Sequence, residues 1–180
     1  MLYQLSYAGA NGSLIATLTA YDPSEWTDLF VAAAGASAAL AGLVFVAVSI
    51  NIERILRYQG LPERALETVL LLLSVLVVSI LGLIPGQSRV ALGAELLGEA
   101  VLISAAVAVL VPMSLPTPFR RSWLVGRAIL AGLGTVPLLV GGATLIAGAG
   151  GGLYWTAAGI LGATLAGVAN AWVLLVEILR

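Results

Sequence analysis

Two carboxylates stand four residues apart inside apolar sequence: Glu95 and Glu99, in Ala94-Glu95-Leu96-Leu97-Gly98-Glu99-Ala100. On a helix that spacing puts both on one face. A carboxylate within a bilayer is costly to hold and marks a functional hypothesis. It can bind a cation, line a water-filled path or pass a proton. The plainer expectations are that both acids lie at the membrane interface, or that Glu99 hydrogen-bonds a neighbouring helix. Asn170 is a third polar residue in apolar sequence, and it too requires a partner in lipid. A structural hydrogen bond between helices is its first expectation, a place on an ion path its second.

Other chemistry is excluded by what is missing. The chain has no His and no Cys, and all eight of its basic residues are Arg. Thiol chemistry, Cys or His metal centres, a Ser-His pair and a lysine Schiff base are therefore ruled out. No nucleophile beside a base is visible, so neither an enzyme nor a cofactor or metal site is expected. A net charge of −1 gives no footprint for nucleic acid.

These polar residues need a scaffold, and composition names it. Charged residues make up 9% of the 180 and the residues AVILMFWYC 61%, where a soluble chain carries roughly 25% charge. So few charges cannot cover a water-facing surface, and the solvent is lipid. Charge-free runs at Leu29–Ile52, Thr68–Ser88, Ala100–Phe119 and Ala128–Val176 locate the spans. A spanning helix takes about 20 residues. The last run therefore holds two helices, divided at Gly148-Ala149-Gly150-Gly151-Gly152. The reading is an all-α integral membrane protein of five spans, at 29–50, 66–84, 91–111, 127–147 and 153–177, forming one transmembrane domain over 29–180.

Arginine placement orients them. Arg54, Arg57, Arg64, Arg120, Arg121, Arg127 and Arg180 fall on one side and Arg89 alone on the other. The positive-inside bias makes the first side cytoplasmic, with the N-terminus outside and the C-terminus inside. Trp26, Trp123, Trp155 and Trp172 lie near span ends, as interfacial anchors do.

Residues 1–28 form the extracellular segment. They lack the basic start of a cleaved signal peptide. Asn11-Gly12 between alternating runs predicts a β-hairpin, 2–8 paired with 14–21. Asp22-Pro23-Ser24-Glu25 then reads as a helix start, with Asp at the N-cap and Pro at the first position.

Two further features concern packing. On span one, Gly35, Ala38, Gly42, Phe45 and Ser49 follow a 3,4 spacing and make a small-residue face that lets another helix approach closely. That helix can belong to the same subunit or to another. On span four Gly134, Gly141 and Gly148 recur every seven residues, and Pro137 predicts a kink.

The stretch Gly35-Ala36-Ser37-Ala38-Ala39-Leu40-Ala41-Gly42-Leu43-Val44-Phe45-Val46-Ala47-Val48-Ser49, with Leu83-Ile84-Pro85-Gly86-Gln87 after span two, resembles small actinobacterial multi-spanning membrane proteins. Those are often labelled hypothetical or modulator of FtsH protease. The resemblance implies an inner-membrane location and regulation of a membrane protease.

The functional expectation is a homo-oligomeric assembly in the bacterial cytoplasmic membrane that conducts a cation, with Glu95, Glu99 and Asn170 on its path. Acidic Asp22, Glu25 and Asp28 would surround the outer mouth and favour cations. The alternatives are a regulatory subunit that binds a membrane protein through the Pro112–Pro118 loop and the Arg clusters, and a small transporter built on Glu99, Asn170 and the Pro137 kink.

Overall fold

The computed structural model describes residues 19–114 and 121–178, with the side chains of 121–123 and 178 left aside. Among the described residues every regular element is helical. Most of the predicted hairpin lies outside them. Of its second strand, Thr19, Ala20 and Tyr21 are described: Thr19 is helical and the other two form a turn, so none of the three is in a strand.

Asp22 caps a 3-10 turn at Pro23–Trp26. Its Oδ1 accepts from the Ser24 amide at 3.0 Å and the Ser24 hydroxyl at 2.7 Å. These donors hold the Asp22 carboxyl below the usual aspartate value. The predicted cap and Pro position are thus present. Helix α1 follows at Thr27–Ile50, then a short α2 at Ile52–Arg57, α3 at Leu61–Gly82, α4 at Arg89–Met113, α5 at Arg121–Ala147 and α6 at Leu153–Ile178. Five of these, all but α2, are long and apolar enough to cross a bilayer. This is the coarse architecture of a multi-pass membrane protein.

Two boundaries differ from the charge-gap reading. Gly60, in the left-handed region at φ 86°, and Pro62 in the first turn start α3 at Leu61, five residues before the predicted 66. Helix α5 begins at Arg121 rather than 127. Both shifts draw charged residues into helices that a count of uncharged runs had placed outside.

Helices α3, α4, α5 and α6 close a ring in which α3 also touches α6, and α1 packs on the outside of α3. One end of the bundle carries Arg54, Arg57, Arg64 and Arg127, the other Arg89. At the Arg89 end the Trp26 and Tyr154 rings meet edge to face at 4.8 Å, tying the start of α1 to the start of α6.

Glycines decide how close the ring draws. Gly134 and Gly141, two members of the seven-residue series, face α6: a methyl on either would lie 2.7 Å from Ala163 Cα or from Thr156 Oγ1. Helix α5 is continuous across Pro137. Proline leaves the carbonyl four residues earlier, on Leu133, without its helical N–H partner. Gly162 of α6 sets its backbone against that same carbonyl.

The face of α1 behaves differently. Gly35, Ala38, Gly42, Phe45 and Ser49 are all exposed, and nothing stands within 4 Å of where a methyl on Gly35 or Gly42 would lie. Helix α1 packs inward through Phe30, Ser37 and Ala41 instead. Of the two packing expectations for this face, the one within a subunit is not met.

Candidate functional site

The interior is stratified along the bundle axis. Toward the Arg89 end an apolar layer contains Val75 and Val78 of α3, Leu92, Leu96 and Ala100 of α4, Leu138 and Leu145 of α5, and Ile160 and Ala163 of α6. A second layer, of Leu71, Ile103, Val107, Val111, Ala131 and Ala166, lies beyond it. A third, of Ile55, Leu61, Ala65 and Leu174, closes the arginine-rich end. Polar side chains occupy the two junctions between layers.

The first junction holds Glu99 and Ser74. Glu99 is ten residues into α4, roughly 15 Å along its axis. It is half-buried and faces Ser74 of α3, which is buried. The Ser74 hydroxyl is the hydrogen-bonding neighbour of the Glu99 carboxylate, and neither Glu99 Oε2 nor Ser74 Oγ has another polar partner. One turn back toward the Arg89 end, Glu95 is exposed and accepts a hydrogen bond from Gln87 Nε2 in the α3–α4 connection. The two acids therefore differ in environment although they share a face: one is capped near the surface, the other lies in the interior.

The second junction holds Glu67, Arg127 and Asn170. Glu67 of α3 is 1% exposed. Its Oε2 accepts from Arg127 Nη2 of α5 in an ion pair, and its Oε1 accepts from Asn170 Nδ2 of α6 at 3.2 Å. Three helices of the ring thus converge on one carboxylate. Asn170 Oδ1 and Arg127 Nε remain buried without partners. Arg64, one turn before Glu67, lies within electrostatic reach of Glu67, Arg127 and Glu177. A charge buried in lipid-facing protein persists only with an opposite charge and hydrogen bonds around it, and this centre supplies both.

Among the residues expected to share a polar site, Glu99 and Asn170 are thus placed in different layers, and Glu95 opens toward the surface. Glu67 and Arg127 are absent from that expectation. The spans at 66–84 and 127–147 place Glu67 and Arg127 at their first residues, where a charge reads as interfacial. The signal that points to them is Gly60 with Pro62: this pair starts a helix early enough to carry Glu67 into its second turn.

No family model, curated protein or solved structure matches this chain.

Proposed function

We propose that this protein moves a small cation across the membrane, as a subunit of a homo-oligomer. The observation that carries the reading is Glu99: a half-buried carboxylate midway along a spanning helix, with the Ser74 hydroxyl of the neighbouring helix as its polar neighbour and no opposite charge beside it. Glu95, one turn nearer the surface, gives an approach of the same charge. The apolar layer at Leu71 and Ile103 closes the protomer interior, so the reading is of gated transfer rather than an open pore.

The exposed face of α1 supports assembly. It offers Gly35, Ala38 and Gly42 on the side of α1 turned away from α3, and small residues let helix backbones approach in lipid. The same face favours a second reading, in which it docks on a partner membrane protein that the chain regulates.

The test is ion flux into liposomes containing purified protein, with and without Glu99→Gln. Flux that falls to the protein-free level in a well-folded Glu99→Gln variant is the expected result. Equal flux in both removes Glu99 from the path. A protein that passes no ion, and that is recovered with another membrane protein, establishes the regulatory reading instead.

A further inference from the structure

We infer that the buried Glu67–Arg127–Asn170 centre is the second station of this path and that the species moved is the proton. The inference rests on the conduction reading above and names its substrate.

The two polar junctions lie on one stripe of α3. Ser74 and Glu67 are seven residues apart, two turns or roughly 10 Å, and Leu71 lies on the same stripe between them. Each junction offers a carboxylate beside buried polar atoms with hydrogen-bonding capacity to spare: Ser74 Oγ, whose polar neighbour is Glu99, in one, and Asn170 Oδ1 and Arg127 Nε in the other. Buried polar atoms of this kind are the ones that ordered water satisfies. A water at either junction would give the adjacent carboxylate a proton donor and acceptor.

The donor sets select the ion. A metal cation stripped of its hydration shell needs several oxygens around it. Glu67 has neither oxygen free, because Arg127 and Asn170 occupy both, and the guanidinium repels a second cation. Glu99 adds one carboxylate and a neighbouring hydroxyl. The layer between them, of Leu71, Ile103, Val107 and Ala166, contributes no oxygen from its side chains to replace hydration. A proton needs none of this. It needs two carboxyl groups and a transient file of water. The step balances: Glu99 carboxylic acid and Glu67 carboxylate become Glu99 carboxylate and Glu67 carboxylic acid. Protonated Glu67 lets go of Arg127; as the pair re-forms, Glu67 gives its proton to water at the arginine-rich end, and Glu99 takes its next proton from water on the Arg89 side.

The experiment uses the full chain in liposomes loaded with a pH-sensitive dye, under a potassium diffusion potential set with valinomycin. Sodium and potassium fluxes are measured in parallel. Proton flux in the wild type without sodium or potassium flux is expected. A loss of roughly a hundredfold in Glu67→Gln is expected from removal of a positioned proton carrier. Because that variant leaves Arg127 unpaired, the neutral double variant Glu67→Gln/Arg127→Gln is measured beside it, with monodispersity in detergent as the folding check. Sodium or potassium flux matching the proton flux overturns the assignment of the proton and leaves conduction standing. Undiminished proton flux in a folded double variant, with loss in Glu99→Gln, overturns the role of Glu67 alone. No flux of any ion from the wild type overturns the conduction reading, and this inference with it.

Discussion

Glu67 accepts from two different helices at once, and that makes its energetics asymmetric. Removing one member of a buried pair strands the other. Glu67→Leu or Arg127→Leu alone is expected to cost about 3–5 kcal/mol, while Glu67→Leu with Arg127→Leu recovers most of the loss. Thermal unfolding in detergent measures all three. If the double variant is no better than the worse single one, the pair is not the coupled unit described here. Glu99 has no comparable partner. Its replacement by Gln is expected to leave stability close to wild type while removing flux, a separation the same unfolding measurements test.

At the scale of elements, the five spans use their small residues in two ways. On α5 and α6 glycine sets the distance between helices. Gly162→Ala places a methyl on the Leu133 carbonyl that Pro137 has left open, and a cost of about 1–3 kcal/mol is expected for such overpacking. On α1 glycine borders empty space. Gly42→Leu is therefore expected to change the protomer's unfolding by less than about 0.5 kcal/mol while breaking apart cross-linked oligomers. If cross-linking and stability are both unchanged, the α1 face is not a subunit contact. Both sets of glycines appear as 3,4 or seven-residue spacings in the sequence. Periodicity alone does not separate them, because it identifies a close-packing face and not the helix that fills it.

At the scale of the molecule, seven of eight arginines lie at one end in sequence order. From that asymmetry the positive-inside bias predicts a cytoplasmic C-terminus. A C-terminal reporter active only in the cytoplasm is the expected result, and activity outside reverses the orientation. The Glu67 centre lies toward the same end, so the reporter result also assigns the side of the membrane that this centre faces.

The sequence by itself determined the solvent, the number of spans, the Asp22-Pro23 helix start and the presence of a carboxylate deep in α4. These follow from local composition and spacing: a run of apolar residues long enough to cross lipid has few other folds open to it. Tertiary structure alone decided which polar groups meet. Arg127 and Asn170 are 60 and 103 residues from Glu67 in sequence, and the three converge because α3, α5 and α6 close one ring. It also decided that Asn170 belongs with Glu67 rather than Glu99, and that the α1 face points away from its own bundle. The physical reason is common to all three. Helix periodicity fixes which residues share a face, but the neighbour of that face is set by the packing of the whole ring.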